Sequence, residues 1–564
     1  MCQDKEKKSL FIIKCILSII FMLVVFVDNA DSIGFLGKIS QGALRYGFFV
    51  PVLGSVLFHF ILKKENRILA IVYSIPWVIL FLTCRLYFYY IPGLAFGECM
   101  MLVLDLWWGT LSFICMCKEL VQYCIHNKKL SFWHYFDNCY NFRSIIFVIL
   151  FSVTFLFMEI GKTDSNLPLE TLLCFVMLYL TPFNKEEKEI IIDAFETGII
   201  LGFWLLQAFA FAFRPFYNTE YNNARYCGMY VNSISFSMLC LAVLVVSFLR
   251  IRDCKNRKLL FYFVLFQTWC VGVLLLLSIG RAAIIFAFIC LFVFAVLSVI
   301  KEKIKIKSFI RAVLFNTLGF IISFFLIFFA VRLIPAVVSH PIFFSDEYFR
   351  EGIILRDDPI TSEKYVEMDE YIHAAVGRIA TIWEKNSVVK SEVDETNQEN
   401  DSSTEYTESK LEKSDNAQLD PEYPNNKYYL SGEYSGLEVR IAIWRSYLDR
   451  VNFSGHTDSE SIIWIAPYKI VLHAHNIIIQ FLYSYGWPTG ILFILWVIYG
   501  LYFAIHGMIK EKNITPFLFW VLTFIMTIGY GMVDCTWRIS QITWFMFLFV
   551  PIFAINNNKT DEKN

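Results

Sequence analysis

The sequence predicts an all-α polytopic membrane protein with about fourteen transmembrane helices and one large extracytoplasmic loop that contains helices of its own. Two observations support this fold class. Hydrophobic residues make up 57% of the 564 residues and aromatic residues 18%, and the mean hydropathy is +0.54, well above the values of a soluble domain. Lysine and arginine also collect in alternate loops, as the positive-inside rule requires of a chain that crosses a membrane repeatedly.

The predicted spans are apolar runs of about 18 residues or more, the length needed to cross the hydrocarbon core. The first run follows a basic start and has no convincing small-residue cleavage site, so we expect it to be retained as a span. The runs lie near 10–27, 43–62, 68–84, 99–117, 143–160, 168–183, 189–213, 226–249, 259–279, 281–300, 309–338, 487–507, 515–533 and 537–555.

The loop charges also predict an orientation. The lysine- and arginine-rich loops are assigned to the cytoplasm, together with both termini, and the sparser loops to the outer side. This divides the chain into about eleven N-terminal spans in 1–338, a large extracytoplasmic loop at 339–470, a re-entry helix with the C-terminal spans at 471–555, and a cytoplasmic tail at 556–564.

The large extracytoplasmic loop contains two predicted helices and one polar insert. Apolar residues recur at helical spacing in 361–385 and again in 436–451, which predicts an amphipathic helix in each. Between them, residues 391–426 are acidic and almost free of large apolar side chains. We expect this insert to be disordered or a loose surface excursion.

Charge and cysteine content exclude several classes of protein. The formal net charge of -1 gives no overall basic field, so nucleic acid is not an expected partner. The cysteines stand mostly singly in apolar runs and form no disulfide framework. Cys115 and Cys117 have no histidine or cysteine partner at zinc-ligand spacing, so no metal site is predicted there.

Four separated stretches place polar groups at the predicted outer mouth. Arg225 stands before one span, and Arg281 occupies a Gly-Arg turn between two others. Arg440 and Trp444 are four residues apart and therefore share one helix face. The fourth stretch, "HAHNIIIQFLYSYGWPTG", supplies His475, Asn476 and Gln480 where the chain re-enters the membrane.

Each of these residues also has an ordinary interpretation. Arg225 and Arg281 could be helix-end cations whose long side chains reach the interface, and Arg440 could be one more surface charge. His473 and His475 would diverge by about 200° on a helix, so joint zinc ligation is not expected unless the segment is extended. Arginines and a histidine gathered at one mouth nevertheless favour a site for a phosphate-bearing substrate.

The motifs that contain these residues resemble the O-antigen ligase and O-antigen polymerase superfamily. The resemblance is carried by "SIGRAA", "RIAIW" and "HAHNIIIQFLYSYGWPTG" in that order, with "RYCGMYVNSISF" similar to an earlier family stretch. It covers roughly Arg225 to the end in motifs and the whole chain in topology. The acidic insert and the Gly-x-x-x-Gly spacing of Gly486 and Gly490 depart from the family pattern, so substrate choice does not carry over.

The resemblance implies a GT-C-like glycosyltransferase of the bacterial cell membrane. Such an enzyme takes a glycan from undecaprenyl diphosphate and passes it to an acceptor sugar hydroxyl on the outer face, without a metal ion or other cofactor. His475 would be the base, and Arg281 and Arg440 would stabilise the leaving group. Arg225, Trp444, Asn476 and Gln480 would bind substrate. Its partners would be the lipid-linked donor, the glycan acceptor, membrane lipid and a chain-length regulator.

Two reactions and one other class of protein remain open. A repeat-unit polymerase of surface polysaccharide is slightly favoured over a ligase that moves the finished glycan to another acceptor, because nothing in the outer loop points to a particular acceptor. The other class is a transporter or flippase of anionic or lipid-linked solutes. Such proteins hold ionisable residues near the bilayer midplane, and Glu196 is the main candidate for that role.

Overall fold

The structure is a computed structural model that describes part of the chain. The described residues are 2–27, 67–90, parts of 107–125, 141–161, parts of 171–183, 185–213, 216, 224–230, 233–302, 306–338, 366–383, 437–457, 460, 463–466, 469–471, 473–511, 513–533 and 542–555. The predicted span at 43–62, the acidic insert at 391–426 and the tail at 556–564 lie outside these residues.

The described residues are almost entirely helical. In chain order the helices are α1 (Cys2–Val27), α2 (Arg67–Tyr90), α3 (Phe142–Ile160), α4 (Lys185–Phe213), α5 (Ser233–Asp253), α6 (Lys258–Leu277), α7 (Arg281–Glu302), α8 (Ile306–Val338), α9 (Met368–Trp383), α10 (Leu437–Leu448), α11 (Ile477–Ser484), α12 (Trp487–Lys510), α13 (Thr515–Phe524), α14 (Ile542–Phe549) and α15 (Ile552–Ile555). A π-helical turn, Ile525–Gly529, continues α13.

Six of the described helices are long and apolar enough to cross a membrane. These six support a membrane protein, while the larger count of about fourteen spans stays a prediction. The most enclosed of the six is α5, with 78% of its apolar stretch buried. The six segments are Phe142–Ile160, Ser233–Asp253, Lys258–Leu277, Arg281–Ile300, Ile310–Ile334 and Trp487–Lys510.

Aromatic side chains fill much of the core. The ring of Phe147 in α3 lies 5.8 Å from that of Trp496 in α12 and 5.0 Å from that of Trp520 in α13, in edge-on or tilted contacts. Gly500 faces the same phenylalanine, and a Cβ there would lie 3.1 Å from the Phe147 ring. The small residue therefore lets α3 and α12 approach closely, as is common between membrane helices.

A helix is confirmed in each of the two stretches where apolar residues recur at helical spacing. Residues 361–385 contain α9, and residues 436–451 contain α10. The α9 segment packs on the ends of neighbouring helices: the Val366 amide donates to the Phe216 carbonyl at 3.0 Å, and the Tyr371 hydroxyl donates to the Leu276 carbonyl at 3.0 Å. Burial raises the pKa of Tyr371 to about 12.

One element departs from the all-α prediction. Strands β1 (Ile463–Ala466) and β2 (Lys469–Val471) pair antiparallel, with Ile463 opposite Val471. Both strands carry β-branched residues, which favour extended backbone. The hairpin is too short to produce a periodic signal in the sequence, and it leads directly into the histidine-containing stretch.

Candidate active site at the start of α11

The site is organised by the loop that precedes α11. The predicted re-entry helix does not include His473 or His475, because α11 begins at Ile477 and Asn476 is its N-cap. The Asn476 side-chain oxygen accepts hydrogen bonds from the amides of Ile478 at 3.0 Å and Ile479 at 3.2 Å. This cap satisfies two of the amide groups that a helix start leaves without partners.

The two histidines lie side by side on this loop. Their ring centroids are 4.2 Å apart, with 53° between the ring planes. The divergence expected on a helix does not apply here, because both residues precede α11. His475 has a φ of +49°, a left-handed conformation that few non-glycine residues adopt, and both side chains are partly exposed.

Gln480 holds the histidine loop in place. Its side-chain oxygen accepts a hydrogen bond from the Ala474 amide at 2.7 Å, and its nitrogen donates to the Ser484 hydroxyl at 2.8 Å. Gln480 is buried at 3% exposure, and Ala474 is fully buried. The backbone between the two histidines is thus fixed by a side chain one turn into α11, so Gln480 acts as a positioning residue.

Arg440 and Asn476 both bind the backbone that follows α13 and its π-helical turn. Arg440 donates through Nη1 to the Val533 carbonyl, and Asn476 donates through Nδ2 to the Met532 carbonyl at 3.0 Å. Helix α10 and the N-cap of α11 therefore each bind one of two consecutive carbonyl groups. Both arrangements tie predicted site residues to one point of the fold.

Arg281 begins a helix, α7, that packs on the residues directly before Met532. It is the first residue of α7 and is exposed. About 7–8 Å further along the helix axis, the Phe286 ring lies 6.2 Å from the Tyr530 ring. A Cβ at Gly529 would lie 2.6 Å from Phe286. The start of α7 therefore packs against Gly529 and Tyr530. Arg440 and Asn476 bind the backbone just beyond these two residues.

Arg225 belongs to the loop beside the Arg281 turn. Its Nη1 donates to the Ser233 hydroxyl at 3.2 Å, and the next residue, Tyr226, donates its amide to the Leu277 carbonyl at 2.9 Å. The turn itself is tight, because a Cβ at Gly280 would lie 2.5 Å from the Ser237 side chain. The structure thus brings the Arg225 loop to the start of α7.

Trp444 faces a small hydrophobic cluster below the histidine loop. Its indole ring packs against this cluster, and its Nε1 atom is buried with no hydrogen-bond partner among the described residues. This position favours a packing role over an open platform for a sugar ring. The cluster consists of Ile443, Tyr447, Ile463, Val471, Ala474, Ile479 and Tyr483.

Two features of the site were missed by sequence reasoning. Met532 and Val533 contribute through backbone carbonyls, so no side-chain pattern could indicate them. The π-helical turn that precedes them, Ile525–Gly529, also lacks a sequence signature, although such turns often occur at functional sites. In contrast, Asn is a favoured N-cap residue, and Asn476 could have indicated where α11 begins.

Within the described residues, no group of three or more histidine, cysteine, aspartate or glutamate side chains could hold a metal ion. Directly before α9, Glu367 pairs with Arg332 at 3.0 Å.

Comparison with known proteins gives no assignment. No protein-family model matches this sequence, and no curated protein matches it at a significant level.

Proposed function

We propose that this chain is a membrane glycosyltransferase. It transfers an undecaprenyl-diphosphate-linked oligosaccharide to an acceptor sugar hydroxyl on the outer face of the bacterial cell membrane, as a repeat-unit polymerase of a surface polysaccharide. The observation that carries the proposal is the meeting of Arg440 and Asn476 on adjacent carbonyl groups, beside the helix that Arg281 begins. Motifs that are far apart in sequence thus reach one end of the bundle.

The reaction needs a base and a stabilised leaving group. His475 takes the proton from the acceptor hydroxyl as its oxygen forms a bond to the anomeric carbon. The bond from that carbon to the diphosphate oxygen breaks, and the electron pair leaves with the diphosphate. Histidine suits the base role near pH 7, and guanidinium groups stabilise the charge that builds on phosphate.

The arginine and amide side chains have different roles in this scheme. Arg281 is exposed and can contact the diphosphate. Arg440 uses one contact to hold Val533, and a guanidinium has further N–H donors for phosphate. Asn476 and Gln480 position the histidine loop through backbone contacts, and Arg225 extends the positive surface on the donor side.

The helix contacts are compatible with one outer face. The outer ends assigned to α4 and α8 meet through Phe216 and Val331, whose amide and carbonyl are 3.2 Å apart. Gly161, at the outer end assigned to α3, lies near Ser454 and Tyr485. These contacts support a common face for these helix ends, which the loop charges assign to the extracytoplasmic side, with both termini in the cytoplasm.

Replacing His475 with alanine in the native host tests the proposal. We expect the variant to remain in the membrane and to stop transfer, leaving surface glycan of one repeat unit. Full-length glycan stranded on the lipid carrier would identify a ligase that uses the same site. His373→Ala is the matched control, because His373 is an exposed histidine on α9, and it should leave glycan length unchanged.

A transporter is the alternative of another class, and Glu196 is the observation that favours it. This carboxyl group is buried at 0% exposure inside the bundle. Transfer needs no second compartment, whereas transport does. Glycan transfer by the purified protein in detergent would therefore support the enzyme, and unchanged glycan in a stable His475→Ala variant would support the transporter.

A further inference from the structure

A cluster of charged side chains lies away from the candidate active site, and Glu196 is its fully buried member. Asp193 and Glu196 stand one turn apart on α4 and share one face of that helix. Lys14 reaches the cluster from α1, and Arg250 reaches it from the last turn of α5. The cluster therefore joins three helices at the end of the bundle opposite to Arg281.

The two carboxyl groups of the cluster are not equally paired. Asp193 forms close ion pairs with both Lys14 and Arg250. Among the described residues, the one ion pair of Glu196 is a more distant contact, in which its Oε2 lies 3.4 Å from Arg250 Nη1. The other oxygen of Glu196, Oε1, is buried and has no hydrogen-bond partner among the described residues.

The surroundings of Glu196 disfavour a charge. The residue is fully buried at 0% exposure, and Asp253 on α5 acts on it as a further negative charge. Helix α1 packs directly on α4 nearby, since a Cβ at Gly198 would lie 2.5 Å from the Ser18 carbonyl oxygen. The two backbones leave no room there for another side chain.

Electrostatics then decides between the two forms of the carboxyl group. A buried carboxylate is stable only when its partners replace the hydration of both oxygens. Arg250 forms its closer ion pair with Asp193, and one oxygen of Glu196 has no hydrogen-bond partner among the described residues. The neutral acid avoids an uncompensated charge and keeps the contact through Oε2.

We propose that Glu196 is a proton-binding site in the interior of the bundle, occupied at neutral pH. The ligand is a proton, held on the carboxyl group between α1, α4 and α5. The titratable and charged groups that act on it are Asp193 from α4, Arg250 and Asp253 from α5, and Cys254 directly after α5, while Lys14 from α1 pairs with Asp193. Loss of the proton leaves a buried carboxylate whose Oε1 has no hydrogen-bond partner among the described residues and whose Oε2 shares Arg250 with Asp193.

Thermal unfolding of two neutral isosteres tests this site. Glu196→Gln replaces a neutral acid with a neutral amide and should leave the melting temperature of the purified protein unchanged. Asp193→Asn is the matched control, because it removes an ionised group from two ion pairs, and it should melt at a lower temperature. A Glu196→Gln protein that melts as low as Asp193→Asn, or cannot be purified, would overturn the proposal.

Infrared spectroscopy of the wild-type protein gives an independent reading of the same group. The spectrum at neutral pH, minus that of Glu196→Gln, should contain the carbonyl stretching band of a protonated carboxylic acid. A difference spectrum with carboxylate bands alone would show that Glu196 is ionised. This result does not depend on glycan transfer, so the two proposals can fail separately.

Discussion

Arg440 and Asn476 donate hydrogen bonds to the carbonyl groups of consecutive residues, Val533 and Met532. One comes from α10 and the other from the N-cap of α11. Because both donors hold the same short piece of backbone, α10 and the histidine loop are fixed relative to each other. Catalytic groups need such fixed geometry more than they need overall stability.

Arg440→Lys should separate the two roles of this side chain. Lysine can still donate to the Val533 carbonyl, but it replaces a planar fork with a point charge and cannot bind phosphate in two places. We expect normal membrane levels and a loss of glycan transfer of at least tenfold, equivalent to about 1.4 kcal/mol. Arg445→Lys, at an exposed position on the same helix, is the control. Full activity in Arg440→Lys would reduce Arg440 to a structural role.

Gln480→Ala should disturb the histidine loop without removing a reacting group. The buried Ala474 amide loses its partner, and an unsatisfied buried donor costs about 1–3 kcal/mol. We expect reduced transfer in a membrane assay, with the protein still inserted. Ser484→Ala removes only the other hydrogen bond of Gln480 and should cost much less. Equal losses in the two variants would contradict a role for Gln480 in holding the loop.

Gly486→Ala should destabilise the turn between α11 and α12. Gly486 has a φ of +86°, and a Cβ there would lie 2.1 Å from the Phe453 carbonyl oxygen. The backbone strain alone costs about 1–3 kcal/mol. Gly377→Ala is the control, because a Cβ there meets nothing within 4 Å, and alanine in a helix is favoured by about 0.5–1 kcal/mol. Opposite shifts in melting temperature are expected.

The packing of α9 should weaken at high pH through Tyr371. Its pKa rises from 10.0 to about 12 on burial, so the folded protein favours the neutral phenol. That contribution is complete below pH 10 and is lost as the pH rises toward 12. Tyr371→Phe loses the hydrogen bond to the Leu276 carbonyl at a cost of about 1 kcal/mol, so it should be less stable than the wild type at neutral pH. Its stability should not show the fall that Tyr371 causes at high pH. Parallel pH profiles of thermal stability would exclude the effect.

Much of the fold follows from the sequence because its signals are long. The apolar runs indicate membrane helices, and helical spacing indicates α9 and α10. Arg440 and Trp444 lie on one helix as their four-residue separation requires. These features depend on periodic patterns of ten or more residues, which tertiary contacts seldom override.

The details of the site depend on single contacts that no periodic pattern reports. The loop that contains His475 ends at Ile477 because Asn476 caps α11. Gln480 then accepts a hydrogen bond from the Ala474 amide in this loop. Trp444 packs on a hydrophobic cluster to which the β1–β2 hairpin contributes, a contact that the helical spacing of α10 could not indicate. Sequence identifies these residues, whereas three-dimensional contacts determine which of them face substrate.

The exposure of α7 has a consequence for how a donor could arrive. Only 11% of its apolar stretch is buried, the lowest share among the six candidate spans, so in a bilayer most of this helix borders acyl chains. Arg281 stands at its first residue. A substrate anchored by a polyprenyl tail could therefore reach the guanidinium by lateral diffusion within one leaflet. Its headgroup would stay in the interface throughout, and the hydrophobic tail would never need to cross the protein interior.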